Sequence, residues 1–192
     1  MAVFLGAEVP CPAAPGHLLF PCRPLEIAGR IYHQLTLRNL SGDGNTPPGC
    51  SLLECRLPMP EDQCDWWMRL EQNREDYRVE RNWLGLQIMD RVLDRFPGLE
   101  GKLRLLDVLT PASYHRICGA YKGSYAGFIL APGSKLGGST GEVPGLPNCY
   151  LTGQWIQPPG GLAQAALSAK FTIQRICQAE QRDYRETDAP IQ

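Results

Sequence analysis

Residues 146–170 hold the pattern with the clearest chemical use in this chain: an apolar run, a turn, a Pro/Gly loop and a helix. The predicted strand 149–152 ends at Gly153, where the chain must bend. Gly160 and Gly161 permit backbone conformations that other residues avoid, so a flat ligand can approach main-chain N–H groups. The helix that follows begins with small side chains, and its free N–H groups and dipole favour an anionic or electron-rich partner. On spacing alone, a plain strand–loop–helix connection is an equally good interpretation.

Hydrophobic periodicity and turn residues predict the elements that must position this loop. The expected strands are 3–7, 17–20, 50–57 and 102–109, and the expected helices are 61–70, 75–96 and 161–180. The helix 75–96 gives the strongest signal because it carries two apolar lines at helical spacing: Leu84, Ile88 and Val92, and Leu86, Met89, Leu93 and Phe96. We expect a mixed sheet backed by this helix. Residues 24–34 are ambiguous.

The loop resembles the C-terminal flavin-binding motif of the phytoene dehydrogenase-like FAD oxidoreductases, which include carotene desaturases, carotenoid isomerases and retinol saturases. The matching features are Gly153-Gln154-Trp155, the Pro-Pro-Gly-Gly run 158–161 and Leu167-Ser168, in the family's order. The run 110–116, Thr-Pro-Ala-Ser-Tyr-His-Arg, with Gly119, Gly123 and Gly127-Phe128 after it, is similar to the segment that precedes this motif in relatives. Shorter landmarks at 4–6, 17–20, 45–49 and 96–99 extend the resemblance over nearly the whole chain.

The resemblance implies an α/β (α+β) chain that is part of a flavoprotein fold. Residues 1–110 would form a mixed-sheet substrate lobe, 111–182 a C-terminal strand–loop–helix that returns to the FAD-binding domain, and 183–192 a polar tail. It also implies an FAD-dependent oxidoreductase that desaturates or isomerises a long apolar polyene such as a carotenoid or retinoid. The residues implied to contact FAD are Gly153, Gln154, Trp155, Pro159, Gly160, Gly161, Leu162 and Ala163.

One family feature has no counterpart in the sequence. Relatives bind the ADP half of FAD with a Gly-x-Gly-x-x-Gly turn between a strand and a helix, and no such turn occurs here. The expected explanation is that the N-terminal FAD-binding half lies elsewhere, through a truncated product, a misassigned reading frame or a split enzyme. The loop also lacks the His and Pro-Gly that many desaturases carry near Pro158 and Ala163-Gln164, which leaves substrate and reaction direction open. The alternative function is a non-catalytic lobe that binds a ligand or a partner subunit.

Composition and charge limit the classes of function that this chain can have. The net charge of -1 over 192 residues gives no footprint for nucleic acid. The chain has neither an apolar run of spanning length nor a basic leader, so we expect a cytoplasmic location, or peripheral membrane attachment if the substrate is a lipid. The eight cysteines contain no Cys-x-x-Cys pair, so no metal site is predicted.

Several single residues carry two interpretations. The adjacent Trp66 and Trp67 favour core packing over stacking on a polyene, whereas Trp155 suits a flavin or substrate contact and core packing equally. Arg116 either places a charge near the cofactor or caps a helix, and His115 is interpreted as structural. We also expect exposed apolar side chains in the C-terminal region: Leu151, Leu162, Ala166, Phe171 and Ile173.

Overall fold

The computed structural model describes residues 1–11, 16–41, 44, 46–124, 132–133, 140–156, 158 and 160–185. The chain forms two compact units, Met1–Ser124 (unit 1) and Tyr125–Gln192 (unit 2). Each is described by itself. The described residues form both α-helices and a β-sheet, which confirms the expected α+β class.

Unit 1 is built on a five-stranded sheet in the order β2-β3-β4-β1-β5. The strands are β1 Ala2–Ala7, β2 Gly16–Ile27, β3 Arg30–Asn39, β4 Ser51–Arg56 and β5 Leu103–Leu109. Every pairing among them is antiparallel, so the expectation of a mixed sheet is wrong. The β2–β3 hairpin makes that pair antiparallel, and β1 pairs antiparallel with both β4 and β5, which lie far along the chain.

The ambiguous segment 24–34 is this hairpin, with Ala28 and Gly29 at its turn in the left-handed region (φ 47° and 76°). An irregularity in β2 between Pro21 and Leu25 hides the strand period in the sequence. The buried Arg91 of the second helix stabilises it. Its guanidinium donates to the carbonyl of Pro24 at 2.6 Å.

Three helices complete unit 1: α1 Glu61–Leu70, α2 Arg74–Arg95 and α3 Pro111–Cys118. The Asn73 side chain caps α2 by accepting from the Glu75 amide at 3.2 Å. The line Leu84, Ile88 and Val92 is fully buried, as predicted, with each side chain 0% exposed. The second line is less uniform, since Leu86 lies 41% exposed.

Helix α3 was not predicted as a helix. Thr110 begins it with a capping box in which its hydroxyl accepts the Ser113 amide and the Ser113 hydroxyl accepts the Thr110 amide, both at 3.2 Å. The buried Tyr77 hydroxyl lies 2.8 Å from the Thr110 hydroxyl. Helix α3 packs on α1, so unit 1 continues past residue 110 to Ser124.

The tryptophan pair is part of the core, in agreement with the packing interpretation. Trp67 is fully buried and meets the Tyr77 ring edge to face at 5.9 Å. Trp66 is half-buried, and its ring meets that of Trp67 edge to face at 4.9 Å.

Unit 2 contains α4, Leu162–Ala179, which confirms the predicted C-terminal helix. The predicted strand 149–152 is wrong, because only Tyr150 forms a bridge there, to Glu142. The intervening turns, with Gly145 and Asn148 at φ 78° and 61°, bend the backbone too tightly for a ladder. None of the described helices is both long and apolar enough to cross a membrane.

Candidate cofactor site

The glycine loop, defined as residues 153–161, is fixed at its start by Ser168 of α4. The buried Ser168 hydroxyl accepts the Gly153 amide at 2.8 Å. The same oxygen lies 3.2 Å from the Gly153 carbonyl and 2.9 Å from the Ala165 carbonyl, and its single proton serves one of them at a time. Gly153 has φ 127°, a conformation that side chains disfavour. The loop is therefore anchored to the second turn of α4.

At its other end, the glycine loop enters α4 through two left-handed glycines. Gly160 and Gly161 have φ 78° and 89°, and Gly161 is the N-cap residue. No side chain caps the helix there, and the first turn carries no acidic residue. The first amides of an α-helix have no intrahelical acceptor. These amides and the helix dipole create a partial positive charge beside the loop.

Side chains add little charge to this site. Residues 153–168 contain no ionisable side chain, so its electrostatics come from backbone dipoles. Leu162 is 91% exposed and Ala163 is also exposed, which leaves the helix start uncovered. A Cβ added at Gly153 or Gly161 would meet no atom within 4 Å. The loop thus leaves open space beside its backbone at both ends.

The segment before the loop packs closely on its own neighbours. The Leu151 amide donates to the Gly141 carbonyl at 2.7 Å. A Cβ at Gly141, whose φ is 79°, would lie 2.4 Å from the Leu151 carbonyl oxygen. The Arg175 guanidinium of α4 donates to the carbonyl of Thr140. These contacts tie residues 140–151 to each other and to α4.

The structure brings the predicted cofactor residues into one loop and the helix that follows it. Gly153, Gln154 and Trp155 form the anchored turn, where Gln154 and Trp155 are half-buried. At the helix entrance lie four more: Gly160, Gly161, Leu162 and Ala163. Pro159 lies outside the described residues. Ser168 was predicted only as a family landmark, and its signal was a hydroxyl in an otherwise apolar Ala/Leu helix face.

The other polar candidates lie in unit 1 and have local partners. His115 Nδ1 lies 3.0 Å from the Ala120 carbonyl, which supports its structural interpretation. Arg116 forms an ion pair with Glu71, so its guanidinium holds α3 to the end of α1. Within the described part of the chain, no group of three or more His, Cys, Asp or Glu side chains could hold a metal ion.

Comparisons with models of protein families, with curated proteins and with solved structures found no match to this chain. The interpretation of the site therefore depends on its own geometry and on the motif resemblance.

Proposed function

We propose that this chain is part of an FAD-dependent oxidoreductase that desaturates or isomerises a long apolar polyene of the carotenoid or retinoid type. One observation carries the proposal. The Ser168 hydroxyl fixes Gly153 at 2.8 Å, and two left-handed glycines at the other end of the same loop open an uncapped helix. Residues 153–168 contain no ionisable side chain, so this segment offers its backbone amides and the helix dipole to a flat, electron-rich ring.

The fit to a flavin follows from where charge develops. The isoalloxazine ring, when bound, supplies the hydride chemistry, and the protein supplies position, dipoles and exclusion of water. The first-turn amides at Leu162 and Ala163 would stabilise negative charge on the pyrimidine edge of the ring. Gln154 would orient a ribityl hydroxyl or a phosphate. Trp155 would contact the ring or the substrate.

The ADP half of FAD needs a second protein element. Since the sequence holds no Gly-x-Gly-x-x-Gly turn, that half would bind to an N-terminal FAD-binding region or a partner subunit. Unit 1 would be the substrate lobe, and the protein would be cytoplasmic, or peripheral to a membrane if the substrate is a lipid. The same absence favours the second candidate, a non-catalytic lobe that binds a ligand or a partner.

Flavin titration of matched variants tests the proposal. FAD and FMN are each titrated against the parent chain, Gly161→Val and Gly145→Val, with binding followed by flavin fluorescence and calorimetry. Gly145 is the control because its φ of 78° and open surroundings match those of Gly161 at φ 89°. Both variants place a branched side chain at a glycine with positive φ and open surroundings, so Gly145→Val controls for that change away from the glycine loop. We expect Gly161→Val alone to lose flavin binding.

Two further variants are expected to have smaller effects on flavin affinity. Gln154→Ala should weaken flavin binding by about 1 kcal/mol, the value of one neutral hydrogen bond. Trp66→Ala should leave it unchanged, since that ring packs in unit 1. Equal affinities of Gly161→Val and Gly145→Val would favour the non-catalytic lobe, whereas a chain that takes up flavin only together with a partner would indicate a split enzyme.

A further inference from the structure

A small pocket opens beside β1 in unit 1, on the side of the strand that carries Phe4 and Gly6. Its volume is about 240 Å³. Gly6 forms the floor, and its sheet partners are Leu52 on β4 and Arg104 on β5. Leu106 and Pro47 contribute apolar walls. We call this cavity the Gly6 pocket.

The missing side chain at position 6 makes room for Leu106 over β1, at the edge of the pocket. A Cβ there would lie 3.0 Å from Leu106 Cδ1 and 3.3 Å from its Cδ2, tighter than ordinary contacts. Leu106 is the extra residue where β5 bulges between its pairings with Leu5 and Phe4. The bulge turns this side chain over the glycine and leaves it 58% exposed.

The lining includes the polar side chains of Thr46, Cys50 and Ser51, and the Ser51 hydroxyl is already engaged. The Ser51 hydroxyl donates to the Val9 carbonyl at 2.8 Å and accepts the Cys11 amide at 2.7 Å. Glu8 and Arg104 approach each other at 3.8 Å with strongly exposed side chains, so their charges lie at the rim. A ligand therefore finds apolar walls and little demand for hydrogen bonds inside.

We propose that the Gly6 pocket binds the compact cyclic or branched hydrocarbon end of an apolar ligand, and that Gly6 and Leu106 set the size of that end. An enclosed apolar cavity of about 150 Å³ holds benzene, and the Gly6 pocket, which is open to solvent, offers about 240 Å³, enough for one compact hydrocarbon group. Phe4, two residues before Gly6 on the same side of β1, extends the apolar surface along which the rest of the molecule lies. The identity of the ligand as a long apolar substrate rests on the proposed function. The pocket itself does not.

Methyl NMR of the full chain tests the proposal with a defined probe. Leu and Val methyl groups are 13C-labelled, and benzene is titrated to its solubility limit, with sodium benzoate as the charged ring of equal size. We expect shifts at the Leu52 and Leu106 methyls with benzene and none with benzoate. Gly6→Val should raise the apparent Kd for benzene at least about tenfold, the scale of a misfit in an apolar pocket. Gly98→Val is the control, since Gly98 has open surroundings and ordinary φ.

The outcomes are separable from those of flavin titration. Absence of shifts at Leu52 and Leu106, or equal benzene affinity of Gly6→Val and Gly98→Val, overturns the pocket while leaving the flavin result intact. If Gly6→Val loses the native methyl spectrum, Leu52→Phe fills the pocket from β4 and takes its place with the same two outcomes. Benzene binding together with failed flavin binding would support the pocket and reject the oxidoreductase.

Discussion

The two units are stabilised by different kinds of contact. In unit 1, strands and helices enclose a continuous apolar core that includes Leu5, Leu53 and Ile88, each 0% exposed. In the described part of unit 2, the buried residues are Gly141, Ser168 and Thr172, which are small or polar. Its helix turns apolar side chains outward, and the five predicted to be exposed are exposed: Leu151, Leu162, Ala166, Phe171 and Ile173.

This difference separates a scaffold from a binding element. Hydrophobic burial gives unit 1 its stability without help from a ligand. The described part of unit 2 is held by main-chain hydrogen bonds and by contacts of the Ser168 hydroxyl and the Arg175 guanidinium, which define a backbone shape. Exposed apolar area on α4 is the surface that a cofactor or partner would cover. Six substitutions and a set of cysteine-labelling measurements test this contrast.

The largest effect is expected at Gly123 in unit 1. A Cβ there would lie 2.1 Å from the Pro111 carbonyl oxygen, and φ is 72°. Gly123→Ala combines steric overlap with left-handed strain and should lower the free energy of unfolding by about 4 kcal/mol. Gly119→Ala is the control, because φ is 64° there but no atom lies within 4 Å, and its cost should be about 1 kcal/mol. Equal urea midpoints for the two variants would contradict the close contact of Gly123 with the start of α3 at Pro111.

The second largest effect is expected when a side chain in the buried line of α2 is truncated. Leu84→Ala removes a fully buried side chain and should cost about 3 kcal/mol of unfolding free energy. Leu86→Ala, two residues later but 41% exposed, should cost under about 0.5 kcal/mol. Leu167→Ala on α4, also 41% exposed, should behave like Leu86→Ala. A Leu167→Ala loss as large as that of Leu84→Ala would mean that unit 2 has a core of its own.

Elements with a regular hydrophobic repeat could be predicted from the sequence, whereas features that depend on contacts with distant or capping residues could not. Helix α2 was predictable because Leu84, Ile88 and Val92 repeat at helical spacing over a long segment. Helix α3 was missed because a short helix between Pro111 and Gly119 shows no period, and its start depends on the Thr110–Ser113 capping box. The hydrophobic pattern also could not predict strand direction, because β1 pairs with β4 and β5, which lie far along the chain.

The sequence identified the glycines of the candidate site but not the hydrogen bond from Gly153 to Ser168 that fixes the loop. Glycine is the residue type that most readily adopts a positive φ, and such φ values are observed at Gly153, Gly160 and Gly161. The predicted strand before them failed, because an apolar run becomes a strand only when a partner ladder exists. Ser168 carried no local signal of its contact with Gly153, fifteen residues away in sequence.

Removing this anchor should loosen only the glycine loop. Ser168→Ala leaves the Gly153 amide without its acceptor, which should cost about 1.4 kcal/mol locally and speed its hydrogen exchange roughly tenfold. Amides of α2 should exchange as in the parent. Leu167→Ala, the adjacent exposed position, serves as the control and should leave the Gly153 amide protected. Unchanged exchange in Ser168→Ala would show that the loop holds its shape without the hydroxyl.

The smallest effect concerns thiol reactivity and requires no change to the fold. Burial, together with the Glu54 carboxylate, raises the pKa of the Cys55 thiol to about 12. Burial also raises the pKa of Cys64. A raised pKa keeps the unreactive thiol form at pH 8, because only the thiolate attacks iodoacetamide. Cys55 should therefore stay unlabelled in the native chain, and its labelling should begin only as the pH approaches 12 or the chain unfolds.

Mass-spectrometric rates then compare the two units directly. The exposed Cys118 of unit 1 and Cys149 of unit 2 should label first. Cys177 on α4 and Cys64 on α1 are both half-buried, yet Cys177 should label several-fold faster, because burial raises the pKa of Cys64 and few buried apolar contacts in the described part of unit 2 oppose local opening. Addition of flavin should slow Cys177 and leave Cys64 unchanged. Equal rates for these two cysteines would mean that α4 is as firmly held as the unit 1 helices, and the contrast between scaffold and binding element would fail.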